Sequence, residues 1–358
     1  MSFPKSFIGN PLEIPACAGM TSFVFGDDSM TQKTTLSLEE IYRPIQTSIP
    51  AVEERILEIL ATSNELSSEV VRYFFKSKGK FLRPALVFFG ASLGREISDK
   101  VVLTAAALEI FHSATLIHDD IIDSAYLRRN LPTVNAKWNS QVAVLVGDYL
   151  HDKAIETIFD TKNDQVIAAF LQTAGIVCDG EILELKEKNN FNLKEETYLT
   201  IIERKTATLL ATCLESGALL AGLDMEHVLA LKRFGIYFGS AFQIMDDCLD
   251  FMGEENEFGK TLGSDLAAGV LTLPLIRLIA LLGEAEKADI FSKVKSGLGQ
   301  SQLGHLIRLL QQHGAIEYAI GKARHYAELA QLELSIFPSS PFRTSLEQLL
   351  PYVIERHR

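Results

Sequence analysis

The sequence predicts an all-α protein, a single large helical bundle around a central cavity. Three observations carry this. Helix-length segments with apolar residues three and four apart follow one another with short breaks. Alternating strand patterns and β-hairpin signals are lacking. No repeat at a solenoid period is present, so the helices are expected to close around one core rather than stack. The expected helices span 38–62, 65–76, 83–94, 97–124, 139–160, 163–187, 194–221, 225–252, 264–283, 301–312, 315–335 and 342–356.

Residues 1–36 stand apart, rich in Pro, Gly, Ser and Thr without a helical period, and are expected to be a disordered or non-native extension of the helical domain 37–358. Met20 and Met30 offer alternative starts, and Lys5 is not followed by the apolar run of a signal peptide. The bundle opens at Ser37-Leu38-Glu39-Glu40, a capping box whose hydroxyl and carboxylate satisfy free N–H groups. Apolar positions then run Ile45, Ile49, Val52, Ile56, Ile59 and Leu60, with a break expected at Pro44 and Pro50. Asn192-x-x-Glu195 reads as a second capping box, and Pro84 as the first residue of its helix.

The chain has 358 residues, 47% of them hydrophobic, and a formal net charge of −12. Such an acidic chain excludes nucleic acid as a partner, because the phosphate backbone would be repelled. Cys17, Cys178, Cys213 and Cys248 form no C-x-x-C pair, so reduced, buried thiols in a cytoplasmic protein are expected. The longest apolar candidate, 270–282, is interrupted by Pro274 and Arg277, and no integral membrane segment is expected.

Two clusters carry the chemistry. His118-Asp119-Asp120-Ile121-Ile122-Asp123 and Gln243-Ile244-Met245-Asp246-Asp247-Cys248-Leu249-Asp250 each lie in an otherwise apolar helical stretch. Residues four apart share a helix face, so Asp119 pairs with Asp123 and Asp246 with Asp250, while Asp120 and Asp247 point aside as support. Two carboxylates on a buried face resist ionising together unless a cation sits between them. Hard oxygen donors without an imidazole cluster fit Mg²⁺ holding a phosphate-bearing substrate. One acidic cluster is often a solvated helix face; two amid apolar residues argue against that reading. Asp27-Asp28 lacks both the third Asp and the helix.

Cations suited to diphosphate gather at helix ends. They are Lys78-Gly79-Lys80-Phe81-Leu82-Arg83-Pro84, the pair Arg128-Arg129, Lys205-Thr206, and Lys260 in Gly259-Lys260-Thr261-Leu262-Gly263-Ser264-Asp265. With Gly147-Asp148-Tyr149-Leu150 and Phe242 to Asp250, these segments in this order resemble the trans-type polyprenyl diphosphate synthase family over 38–358. The resemblance implies an isoprenoid-synthase bundle and a homodimer. It also implies that Asp119, Asp123 and Asp246 ligate Mg²⁺, with Asp250 near an ion through water. It places an allylic diphosphate on Arg128, Lys205, Thr206, Gln243 and Lys260, and isopentenyl diphosphate on Lys80, Arg83, His112 and Arg129. Phe81, Glu184 and Val270 depart from the family pattern, standing where many members have Arg, Gln and Lys.

The implied reaction ionises the allylic diphosphate, joins the cation to isopentenyl diphosphate and releases diphosphate, with Asp120 and Asp247 counted among the catalytic groups. A turn of helix is about 5 Å, close to one isoprene unit. Ala114 and Thr115 lie one turn below Asp119 and are small, which predicts products longer than C15, with C30–C40 the expected range and Phe111 a candidate floor. The alternatives are a geranylgeranyl-length synthase, a class I terpene cyclase and a subunit of a heteromeric synthase.

Overall fold

The computed structural model describes residues 36–76, 79–252, 263–295 and 299–355. All lie within the compact unit Thr35–Arg358. The expected extension 1–36, apart from Leu36, falls outside the described residues, as do Cys17, Asp27-Asp28, Lys78 and Lys260.

The Ser37 capping box forms as expected: Ser37 Oγ accepts from the Glu40 N–H, and the Glu40 carboxylate accepts from the Ser37 N–H at 2.8 Å. It starts α1 (Leu38–Ile41). Pro44 and Pro50 lack the N–H a helix interior needs, so the expected helix 38–62 splits into α1, a 3-10 turn Arg43–Ile45 and α2 (Ile49–Ile59). There follow α3 (Glu65–Lys76), α4 (Leu82–Ser92) and α5 (Asp99–Ile122). Next come a minimal antiparallel pair, β1 (Leu127–Arg128) and β2 (Leu131–Pro132), then α6 (Val134–Lys137), α7 (Ser140–Asp160) and α8 (Asp164–Glu187). The middle of the chain is α9 (Glu195–Ile202), a π-helical turn Glu203–Ala207, α10 (Thr208–Ala221) and α11 (Met225–Met252). The remainder is α12 (Ser264–Ala267), α13 (Leu273–Leu281), α14 (Glu284–Lys295), α15 (Gln300–Gln312), α16 (Ala315–Glu333) and α17 (Pro341–Ile354).

Several expectations are corrected. The helix expected over 264–283 breaks at Gly269, whose φ of 83° leaves the helical region, and restarts with Pro274 in the first turn of α13. α4 begins at Leu82, so Pro84 is its third residue. The N-cap of α9 is Lys194, without a side-chain cap; Asn192 instead donates its N–H to Asn190 Oδ1 at 3.0 Å. α14 was not expected, because its sequence is polar nearly all round. The β1–β2 turn carries no Gly: Arg129 and Asn130 take left-handed φ of 50° and 62°.

α5 and α11 run through the middle. α5 packs against α7, α4 and α2, and α11 against α10 and α16. Both are apolar on most faces, as interior helices are. Phe88 and Phe89 of α4 and Phe234 and Phe238 of α11 are fully buried, and α10 packs against both helices. α5 and α8, not 270–282, are the longest apolar helices by length and composition; the apolar window of α5 is 61% buried in the core, that of α8 33%. Cys213 and Cys248 are buried, but Cys178 on α8 is exposed, which corrects the expectation for that thiol.

Candidate active site

The aspartate clusters of α5 and α11 lie near the C-terminal end of each helix, where the apolar core gives way to a cleft. On α5, burial, aided by Glu181, pushes the Asp119 carboxyl up to about 7 against the pull of Lys205 and Arg128. Asp120 turns aside and is buried. Its carboxylate accepts from Arg128 Nε at 2.9 and 3.1 Å and pairs with Nη2 at 2.9 Å. Asp123 caps the helix, exposed, with Oδ1 3.7 Å from Lys188 Nζ.

On α11 the middle residue is again the buried one. Asp247 accepts from Tyr198 Oη at 2.6 Å and Gln243 Nε2 at 2.8 Å, and Thr206 Oγ1 donates to Gln243 Oε1 at 2.9 Å. Burial, with Asp265 nearby, pushes the Asp247 carboxyl well above the ordinary carboxylate range. Asp246 is exposed. Asp250 binds the start of α12: it accepts from Ser264 N at 3.2 Å, Ser264 Oγ at 3.0 Å and Asp265 N at 3.3 Å. Both of its oxygens are engaged, so Asp250 holds the first residues of α12.

The two motifs are joined through α8 and the π turn. A π turn widens the helix locally and re-aims side chains, a device common at functional sites. Here it presents Lys205 and Thr206, and Gly180 lets it approach α8, since a Cβ there would lie 2.9 Å from Lys205 N. Lys205 Nζ is held by Glu181 at 2.8 Å and, more closely, by Glu184. Burial opposes its charge, but Glu184, Glu181 and Asp119 outweigh this and raise its pKa.

Two cavities flank the end of α5. An acidic cleft of about 180 Å³ is lined by Asp123, Glu184, Lys188, Lys205, Thr206, Gln243, Asp247 and Val270. A basic and aromatic cavity of about 190 Å³ is lined by Tyr73, Phe74, Phe81, Glu109, His112, Arg128 and Arg129. Arg128 and Arg129 reach the second cavity because the β1–β2 turn folds back onto α3, with Tyr73 Oη donating to Pro132 O at 2.8 Å. Arg128, implied by resemblance to bind with Lys205, is thus placed beside Arg129 and His112.

Arg83 and Glu109 form a buried charge pair beside this cavity. Burial presses on both, and each, with Arg129 beside Glu109, opposes that pressure on the other. Arg83 Nε and Glu109 Oε2 have no hydrogen-bond partner in the protein. Burial and the surrounding Arg83, Arg128 and Arg129 hold His112 well below its ordinary 6.5, so its imidazole is neutral. Lys80 is exposed just ahead of α4. Phe81 fills the place between them with a left-handed φ of 49°.

Below Asp119, Thr115 is half-buried with Oγ1 donating to His112 O at 2.8 Å, and Ala114 is buried. Phe111 packs edge-on to Phe170 of α8 at 5.3 Å and lies 5.8 Å from the His151 ring of α7, making a wall where three helices meet. The sequence reading had not given site roles to Glu109, Glu181, Lys188 or Tyr198. Glu109 and Glu181 are carboxylates on apolar helices, which was an available signal; the placement of Lys188 and Tyr198 depends on tertiary packing.

Among the described residues no group of three His, Cys, Asp or Glu side chains is gathered into a ready-made cage. The carboxylates are hard oxygen donors, and burial, with Glu181, holds the Asp119 carboxyl up against the pull of Lys205 and Arg128. That pattern fits an ion that takes the rest of its coordination from phosphate and water.

An all-helical bundle with two aspartate clusters at a cleft and an arginine-lined cavity beside it defines a diphosphate-handling helical enzyme. Residues 64–303 match the polyprenyl synthetase family, and the chain belongs to that family and is a prenyltransferase of the polyprenyl diphosphate synthase kind. It is 34% identical over 89% of its length to the all-trans-nonaprenyl-diphosphate synthase (geranyl-diphosphate specific) of Rhodobacter capsulatus, covering 98% of that protein. It is 35% identical over 90% of its length to heptaprenyl diphosphate synthase component 2 of Geobacillus stearothermophilus, covering 99% of it. Among solved structures, the polyprenyl synthase from Caulobacter crescentus CB15, complexed with calcium and isoprenyl diphosphate, superposes with a TM-score of 0.86 at 30% identity, covering 91% of this chain and 100% of that one.

Proposed function

We propose that the protein extends an allylic prenyl diphosphate with isopentenyl diphosphate, with Mg²⁺, to products of C30–C40. The observation that carries this is the pairing of an acidic cleft with a separate arginine-lined cavity at one helix end. Asp119, Asp123 and Asp246 would hold Mg²⁺, which when bound supplies positive charge to the departing diphosphate. Lys205, beside Asp119, stabilises the same developing charge from the π turn. Arg83, Arg129 and neutral His112, with Lys80 at the rim, orient isopentenyl diphosphate from the other side of α5. Asp120 fixes Arg128, and Asp247 fixes Gln243 and, through it, Thr206. The C–O bond to the allylic diphosphate breaks first, and the apolar flanks of α5 keep water from the allylic cation until the isopentenyl double bond attacks it; the released diphosphate then takes the proton lost from the new chain.

The homodimer belongs to this proposal. α7 and α8 pack together and leave Leu145, Phe159, Leu171, Ile182 and Leu185 exposed, an apolar surface that suits a second copy. The relative named as a component favours one rival reading, a catalytic chain that needs a different subunit.

Purified protein given farnesyl diphosphate, labelled isopentenyl diphosphate and Mg²⁺ should by itself form C30–C40 products. Absence of Mg²⁺-dependent elongation by the protein alone would contradict the homomeric proposal. Ala114→Phe should shorten the products, and unchanged length would remove α5 as the ruler.

A further inference from the structure

Lys188 has no role in the site as assembled so far, yet its ammonium stands at the mouth of the acidic cleft. It is the C-cap of α8, and the chain leaves the helix there with ψ 130°. The next residue, Asn189, takes a left-handed φ of 62° and donates its N–H to Gly269 O at 2.8 Å. Gly269 accommodates this with φ 83°, and a Cβ there would come within 2.5 Å of Asn189 Oδ1. The clasp fastens the α8 exit to the loop after α12. It sets Lys188 and Val270, the two residues flanking the clasped pair, together in the lining of one cleft.

The other cations near Asp119 each have close carboxylate partners. Lys205 is held between Glu181 and Glu184, and Arg128 grips Asp120 through two of its nitrogens. Among the described residues the Lys188 ammonium makes a long ion pair of 3.7 Å to Asp123, with the two side chains 27% and 43% exposed. An exposed pair of that length is weak and easily exchanged. Lys has three donors on a flexible stem, so the ammonium can move from Asp123 to an anion without moving the backbone. Asp123 is the carboxylate that a metal ion would claim, which releases Lys188 as a metal-bound diphosphate arrives.

We propose that Lys188 is a substrate-binding residue: pinned by the Asn189–Gly269 clasp, it exchanges Asp123 for an oxygen of the allylic diphosphate and supplies the charge that Val270 lacks. This rests on the assignment of the acidic cleft to the allylic substrate. It separates Lys188 from the isopentenyl cavity, which lies on the other side of α5 and does not include it.

The test is kinetic and uses the full-length protein. Lys188→Gln should raise KM for farnesyl diphosphate about 10-fold or more and leave KM for isopentenyl diphosphate within about 2-fold, as expected for loss of one charge-assisted hydrogen bond on one substrate. Val270→Lys added to Lys188→Gln should recover most of the lost affinity by returning the charge from the other side of the clasp. Equal KM values in wild type and Lys188→Gln would overturn the proposal, and so would a rise shared equally by both substrates. Failure of Val270→Lys to recover any affinity would place the effect in the clasp rather than the charge, and would also overturn it. A wild-type protein that does not elongate at all would count against the proposed function instead. Titration of inorganic pyrophosphate in Mg²⁺ then decides the Lys188 question: weaker binding by Lys188→Gln supports it and equal binding overturns it.

Discussion

The two cavities beside the end of α5 handle negative charge in opposite ways. One collects carboxylates: Asp123, Glu184, Glu187, Asp247 and Asp265 line it against Lys188 and Lys205. The other sets Arg128, Arg129 and His112 beside Glu53, Glu109 and Asp120, the last already paired with Arg128. An anion can enter the second directly, but it can enter the first only with cations of its own. Under the proposed function this difference would tell two diphosphates apart: one would be held by guanidinium, the other by metal. In both, the middle Asp of the motif is a buried anchor, Asp120 for an arginine and Asp247 for a glutamine and a tyrosine.

The largest effect should come from the acidic side. Asp119→Ala removes a proposed ion ligand, and kcat for elongation should fall by about 1,000-fold or more, the scale of losing charge stabilisation at a leaving group. Binding of isopentenyl diphosphate alone should survive that change; if it is lost as well, the two cavities are not independent.

A smaller, selective effect is expected on the basic side. Arg129→Gln should raise KM for isopentenyl diphosphate about 10- to 100-fold, the equivalent of one charge-assisted contact. The Mg²⁺ concentration needed for half-maximal rate should not move, and a shift in it would show that Arg129 serves the metal-dependent side.

The smallest effect is on stability. Since His112 is neutral when folded and its folded pKa lies below its ordinary 6.5, the unfolded chain takes up the extra proton in acid. The contribution of this group is therefore complete above about pH 6.5 and is lost as pH falls below that value toward the folded pKa. His112→Gln should flatten the fall in Tm between about pH 6.5 and 5 relative to wild type. An unchanged pH profile would mean that the imidazole is not held neutral by its burial and the arginines around it.

Much of the fold was legible because the signals are local. The Ser37 box, the prolines at 44 and 50 and the apolar period of α5 and α11 act within a few residues. The pairing of Asp119 with Asp123 and the sideways turn of Asp120 and Asp247 followed from helical geometry alone. What escaped depends on contacts across the chain. The clasp between Asn189 and Gly269 joins segments about 80 residues apart, so no window could show Lys188 beside Val270. The Arg129-Asn130 turn was missed because non-glycine residues adopt its left-handed backbone, and Asn192 was misread because Lys194 took the cap position. Phe81 could be seen as a missing arginine, but not as a lining residue of the aromatic cavity.

The division of labour between the cavities is tested most directly by binding each substrate alone, with Mg²⁺ and with chelator. Isopentenyl diphosphate should bind equally in both conditions, and a non-reactive allylic diphosphate analogue should bind only with Mg²⁺. Equal binding of the analogue in chelator, or loss of isopentenyl diphosphate binding there, would contradict the account.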